Sequence, residues 1–180
     1  MPAAPAKRPA ARSAGLFLDN QLCFALYAAS LAMTKVYRPL LKPLGLTYPQ
    51  YIVMLALWEH GELSVGALGE RVALDSGTLV PLVRKLVAQG LVERLRSAAD
   101  DRSVLISLTP AGAQLRERAH AVHDQVACAT RCTVPQRQAL ALSLKDLRAA
   151  LLDAVAAPAD TPPSRPVSRP PSPTSNRKLA

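Results

Sequence analysis

The chain is short of aromatic residues, of cysteine and of long apolar runs, and each shortage excludes something. Aromatics make up 4% of the 180 residues, and Phe17, Phe24, Tyr27, Tyr37, Tyr48, Tyr51 and Trp58 all lie in the first third. Stacking of unpaired bases needs exposed rings beside basic groups, so the aromatic-free remainder argues against a single-strand binder. Three cysteines, an odd number without secretory context, do not make a disulfide framework, and any role they have is reactive. Asp19, Asn20 and Gln21 interrupt the best apolar stretch before it reaches the roughly 18 residues a membrane helix needs. The first cations are followed by prolines instead of an apolar region, which speaks against a secretory signal and predicts a cytoplasmic protein.

What the chain does have is positive charge, formally +9, and a hydrophobic content of 49% that suffices for a helical core. The charge is less telling than its size suggests. Residues 1–15 carry a net +3 and residues 158–180 another +3, so only +3 remains for the middle. Ten of the 16 prolines sit in those two ends, and segments such as TPPSRPVSRPPSPTSNRK cannot bury enough apolar surface to offset the entropy of ordering. Disordered tails are therefore expected over 1–15 and 158–180, with one folded domain over 16–157.

Within that domain the periodicity is mainly helical. Leu22, Cys23, Leu26, Tyr27, Ser30, Leu31 and Tyr37 are spaced by threes and fours, predicting a helix from Asp19 that ends near Pro39. Thr47 caps a second helix with Pro49 in its first turn and an apolar stripe of Ile52, Leu55 and Trp58, and Gly61 ends it. Ser64 opens a brief helix through Val72, Ala73 to Asp75 form a tight connection, and a further helix runs from Ser76 to Gln89, with Gly90 as its stop. The period then changes. VERLR and SVLISL, joined by the polar residues 97–102, read as one hairpin. Thr109 with Pro110 opens a long helix through His120, and Thr133 with Pro135 opens a last one carrying Leu140, Leu142, Leu144, Leu147, Leu151 and Leu152.

Short helix, turn, second helix and basic hairpin is the order of a winged helix-turn-helix, here about residues 62–109, whose second helix enters a major groove. Ser76, Gly77, Thr78 and Pro81 would lie deepest against base edges, with Arg84 and Lys85 placed for phosphates or a guanine. Arg102 at the wing tip would reach a minor groove, and Arg94 and Arg96 the backbone. The competing reading is a set of solvated charges on a small α+β domain, because residues 71–102 carry a net charge of only +2. Element order, more than charge, carries the DNA-binding expectation.

With these segments in place the sequence resembles the MarR family of dimeric bacterial regulators, and within it the organic hydroperoxide resistance regulators (OhrR proteins). The likeness covers about Leu16 to His120 and is specific in LDNQLCFALYAAS, in LGLTYPQYIVMLALWE and in DSGTLVPLVRKLVAQGLVERLRSAADDRSVLISLTPAG. It implies a mainly α fold with a two-stranded β wing, dimerising through N- and C-terminal helices, about 16–45 and 110–157, and binding a palindromic operator in double-stranded DNA. It also implies that Cys23 is the peroxide-reactive cysteine, that Tyr27, Tyr37 and Tyr48 surround its sulfur, and that Asp100 steadies Arg102. A C-terminal cysteine, Cys128 by position with Cys132 in reserve, would trap the sulfenic acid as a disulfide. The expected protein is a repressor induced by organic hydroperoxide and not an enzyme, with no cofactor. The alternative is a repressor relieved by a small phenolic or other aromatic ligand.

Spacing adds physical content to those roles. Cys23 and Tyr27 are i and i+4 on one helix and can touch. Tyr37 shares their azimuth but stands about 21 Å along a straight helix, out of reach of its own chain's sulfur. An antiparallel pairing about a two-fold axis would bring Tyr37 of one chain to Cys23 of the other. A thiol of ordinary pKa is mostly protonated at neutral pH, and tyrosine hydroxyls can stabilise the anion without adding charge. The preference for organic hydroperoxides that the resemblance implies would suit an apolar surround of Leu22, Phe24 and Leu26. Cys128 and Cys132 are also i and i+4, but two thiols with His120 and His123 at irregular spacing do not complete a metal site.

Overall fold

The computed structural model describes residues 14–96 and 104–157; the expected terminal tails therefore fall almost wholly outside the described residues. The chain divides after Arg131 into two compact units, at a residue whose φ of 52° lies in the left-handed region.

In the first unit, 3-10 turns at Ala14–Leu16 and Leu18–Asn20 lead into α1, Leu22–Leu41. This helix ends near Pro39 as expected, with the proline inside its last turn and the end two residues beyond it. Proline removes the amide that would bond to the Lys35 carbonyl, but both residues are exposed, so water can serve that carbonyl while Leu41 beyond it is fully buried. A 3-10 turn, Lys42–Leu44, and Gly45 at φ 68° redirect the chain. Helix α2, Tyr48–His60, starts from a capping box between Thr47 and Gln50 and stops at Gly61, φ 77°.

The stripe expected on α2 holds only at Trp58. Of its three members Trp58 is buried as expected, but Leu55 is 44% exposed and Ile52 half-buried, whereas Tyr51, Val53, Met54, Ala56 and Leu57 are buried. Helix α2 packs against α1 and against every later element of this unit but one, so it is apolar nearly all round and no single face is legible.

Strand β1, Glu62–Ser64, precedes α3, Val65–Val72, whose N-cap Ser64 accepts from the Ala67 amide at 3.1 Å. Ala73 takes the left-handed conformation, φ 57°, and α4 follows over Ser76–Ala88. Strands β2, Val92–Arg96, and β3, Val104–Leu108, form the expected antiparallel hairpin, with Arg94 opposite Ile106. A third strand was not anticipated: β1 pairs with the other edge of β3, Leu63 opposite Ile106, giving the order β1-β3-β2. Three residues reading Glu-Leu-Ser carry too little alternation to announce a strand.

Helix α5, Pro110–Ala129, buries Leu115, Ala119, Val122 and Val126, one stripe at spacings of three and four. Its first turn locks onto the wing. The Thr109 hydroxyl donates to the Gly90 carbonyl at 2.6 Å, the Gly112 amide donates back to that hydroxyl at 3.0 Å, and the Trp58 indole donates to the Gly112 carbonyl at 2.9 Å. A Cβ on Gly112 would stand 1.9 Å from the Leu91 carbonyl oxygen, which itself accepts from the Thr109 amide at 3.1 Å. In the second unit α6, Val134–Ala156, is capped by Thr133 and Gln136 and buries none of its residues.

Only glycine fits between α5 and the root of the wing. Gly112→Ala should therefore destabilise the fold by about 3 kcal/mol or more, at the upper end of overpacking costs, measured by chemical denaturation; an unchanged midpoint would contradict this packing.

Candidate functional site

Two faces of the first unit carry the residues singled out from the sequence. On α4, Leu79, Val83 and Leu86 are buried at spacings of four and three, which fixes the helix's rotation. The opposite face then presents Ser76, Gly77, Thr78, Pro81, Arg84 and Lys85, all exposed. Pro81 leaves the Gly77 carbonyl without its helical amide partner on that same exposed side. The N-terminus of α4 is tied by Asp75, whose carboxylate accepts from the Thr78 amide at 2.8 Å and the Thr78 hydroxyl at 3.0 Å. Those two donors, the amide first, hold Asp75 below the usual carboxylate range. Arg94 is exposed on β2. Asp100 and Arg102, the expected wing-tip pair, lie outside the described residues, as does the side chain of Arg96.

The second face is built from rings. Tyr37, near the end of α1, stacks on Tyr48, the first residue of α2, with centroids 4.6 Å apart and planes at 27°. Tyr51 lies 5.5 Å from Tyr37 and meets Trp58 edge-on at 6.1 Å. Tyr51 was not among the expected pocket residues, although its place one turn after Tyr48 on α2 puts both rings on one side. Burial first, then the neighbouring Tyr51 and Tyr48, pushes the Tyr37 hydroxyl up to about 12. Tyr48 and Tyr51 are raised as well, chiefly by burial. All three hydroxyls are therefore neutral, and so donors, throughout the physiological range.

The structure gathers Tyr37 and Tyr48 but not their expected companions. Cys23 and Tyr27 are exposed near the start of α1, where Leu22 is 60% exposed, so the apolar surround expected for the sulfur does not form within one chain. Cys128 is exposed in the last turn of α5, and the Cys132 carbonyl accepts from the Arg137 guanidinium at 2.7 Å. Among the described residues no group of three His, Cys, Asp or Glu side chains is placed to hold a metal ion, and no helix is long and apolar enough to cross a membrane. A cleft of about 520 Å³ between α2 and α5 is lined by Tyr51, Trp58, Glu59, Arg116, His120 and His123, among others.

Raised tyrosine pKa values have a definite consequence for stability. The folded state holds protons that the unfolded chain has lost, so stability is intact below about pH 10 and declines as pH rises from there towards 12. Tyr37→Phe should flatten that decline relative to the parent in urea unfolding measured across this range; an unchanged slope would show that Tyr37 titrates normally.

Comparison with known proteins places this geometry among regulators. A family model for the transcriptional regulators SarA/Rot matches residues 35–118. The organic hydroperoxide resistance transcriptional regulator of Bacillus subtilis (strain 168) is 58% identical over 102 residues, 57% of this chain and 69% of that protein. Reduced AbfR bound to DNA, from a protein of Staphylococcus epidermidis, superposes with a TM-score of 0.64 at 31% identity, covering 78% of this chain and 99% of the other. The disulfide-formed state of AbfR gives 0.54 at 34% identity, covering 76% and 96%. A cysteine-to-serine mutant of MarR from E. coli, complexed with operator DNA, gives 0.62 at 25% identity, covering 70% and 92%.

Proposed function

The chain belongs to the MarR family of winged-helix transcriptional regulators, and we propose that it is a repressor that leaves its operator when an organic hydroperoxide oxidises Cys23. The observation that carries this reading is the neutral tyrosine cluster at the junction of α1 and α2, with the sulfur it would serve exposed at the other end of α1. The two ends stand about 21 Å apart along a straight helix, so the cluster of one chain serves the Cys23 of a second.

The surface supports such a pairing. Leu16, Leu18, Leu22 and Leu31 are each between 46% and 88% exposed, and α6 leaves Leu140, Leu142, Leu151 and Leu152 more than half exposed. Apolar side chains left open in such number at both ends of a small chain mark an interface with another copy. In the dimer two α4 faces then meet the half-sites of a palindrome, with Arg84 and Lys85 on phosphate or guanine and Ser76, Gly77, Thr78 and Pro81 nearest the base edges. Arg94, Arg96 and Arg102 of the wing, the last steadied by Asp100, complete the DNA-binding set.

Oxidation proceeds in two steps. The Cys23 thiolate, stabilised by tyrosine donors, attacks the peroxide; the O–O bond breaks, the sulfur becomes a sulfenic acid and an alcohol leaves. The Cys128 thiol, or Cys132 in its place, then displaces the hydroxyl as water and forms a disulfide. Switching from almost fully binding-competent to almost fully incompetent takes about 5.5 kcal/mol of bias, which a covalent bond incompatible with the DNA-bound geometry can supply. B. subtilis carries a relative named for organic hydroperoxide resistance, and AbfR has been captured both reduced on DNA and in a disulfide state.

A second reading, release by a small phenolic or other aromatic ligand, draws on the cleft between α2 and α5, whose Tyr51 and Trp58 rings and Arg116 suit an aromatic guest. Blocking the thiols distinguishes the two, because ligand-driven release survives it.

Cys23→Ser should bind operator as the parent does and remain bound in cumene hydroperoxide in a gel-shift assay; release of that variant would sink the sensor assignment. Cys128→Ser should lose the disulfide-linked dimer on a non-reducing gel, and an undiminished dimer band would transfer the resolving role to Cys132.

A further inference from the structure

Among the described residues one polar residue, Gln50, is buried in the core, at 3% exposure. Its carboxamide oxygen accepts from the Thr47 amide at 2.9 Å and from the Thr47 hydroxyl at 2.9 Å. Its amide nitrogen donates to the side-chain oxygen of Gln89 at 3.3 Å, and the Gln89 amide nitrogen donates to the Gly45 carbonyl at 2.8 Å. Neither carboxamide can be turned round. The Thr47 amide can only donate and the Gly45 carbonyl can only accept, so both outer bonds dictate which end of each glutamine faces which way. The Gln50 to Gln89 bond between them then has a single possible polarity.

The positions of these residues give the chain of bonds a direction. Gln89 caps the C-terminus of α4, the helix proposed to read DNA, and its own amide still closes that helix onto the Lys85 carbonyl at 3.0 Å. Gly45 and Thr47 bracket the turn that delivers Tyr48, and Tyr48 is the ring that stacks on Tyr37. Gln89 at the end of α4 is thus tied by two side-chain hydrogen bonds, to Gln50 and to the Gly45 carbonyl, to the six-residue segment that carries Tyr48, within which Gln50 is held by Thr47. Gln50 is buried, so water does not readily replace a bond that it loses, and the loss leaves an unsatisfied amide in the core.

We propose that the Gln50–Gln89 pair is the positioning link through which the tyrosine cluster and the DNA-reading helix sense each other's state. The inference rests on the redox reading above for its direction, but the link itself is reciprocal: operator bound to α4 must be felt at residues 45–50, with or without peroxide. A displacement of Tyr48 that accompanies oxidation moves Thr47, and with it the Gln50 oxygen. The Gln89 end then either follows, shifting the end of α4, or breaks its bond.

The test uses Gln89→Leu and Gln89→Glu. Position 89 is exposed, so both variants should fold; leucine leaves the buried Gln50 amide without its acceptor and should lower the melting temperature, while glutamate stays nearer the parent. Leucine removes both side-chain bonds; glutamate keeps an acceptor for Gln50 and puts an anion against the Gly45 carbonyl. Two measurements are made on the full chain. Amide hydrogen exchange at residues 45–50 should slow when operator is added to the parent and stay unchanged in Gln89→Leu. The loss of operator affinity caused by cumene hydroperoxide should shrink by about tenfold in Gln89→Leu, with Gln89→Glu between it and the parent. Parental operator protection at 45–50 in Gln89→Leu, or parental release by it, overturns the link. If the parent shows the operator protection but ignores hydroperoxide, the redox reading falls and the link stands.

Discussion

Cys23 and Tyr37 stand on one unbroken helix of 20 residues, and its rise of about 1.5 Å per residue holds them roughly 21 Å apart. No rearrangement short of breaking α1 brings that sulfur to that hydroxyl within one chain. The separation is what makes a second chain necessary to the proposed chemistry, and the open apolar residues of the N-terminal segment and of α6 supply the means of binding it. Pro39, which could have broken the helix, lies beyond Tyr37 at an exposed position, so the spacing from Cys23 to Tyr37 is preserved.

The tyrosine cluster suits that chemistry because of what burial does to it. A cationic neighbour would lower a thiol's pKa more strongly, but it would also leave a charge to be desolvated at an interface between subunits. Tyr37, held neutral up to about 12, donates without that cost and does not compete with the thiolate for a proton. The rings contact one another at 4.6 and 5.5 Å, so displacement of one is felt by the others. Tyr48 also begins α2, the helix against which most of the first unit packs, and this puts the proposed sensor beside the structural centre of that unit instead of on a peripheral loop.

Much of this was legible in the sequence because caps and stops are local. Thr47, Ser64, Thr109 and Thr133 each open a helix as read, Gly61 closes one, and the change from helical to alternating period marks the hairpin. Three features were not legible, each for a physical reason. Strand β1 owes its existence to the open edge of β3 and has no pattern of its own. The stripe of α2 was misread at Ile52 and Leu55 because a helix enclosed by neighbours has no polar face to set its rotation. Tyr51 and the Gln50–Gln89 pair depend on contacts across the fold, the glutamines being 39 residues apart, and spacing along one helix cannot reveal them. Tyr37 and Tyr48 could be named as neighbours only through the family resemblance, since 11 residues and a turn separate them.

The central claim is that the reactive sulfur of one chain is served by the tyrosines of another. The most direct measurement mixes two defective chains, one carrying Cys23→Ser and the other Tyr37→Phe with Tyr48→Phe, and follows sulfenic acid formation with organic hydroperoxide. A mixed dimer contains one complete site: Cys23 from the tyrosine variant and both hydroxyls from the cysteine variant. Mixing should restore parental oxidation kinetics to the Cys23 of the mixed dimers. Oxidation no faster than in the tyrosine-variant homodimer would contradict it.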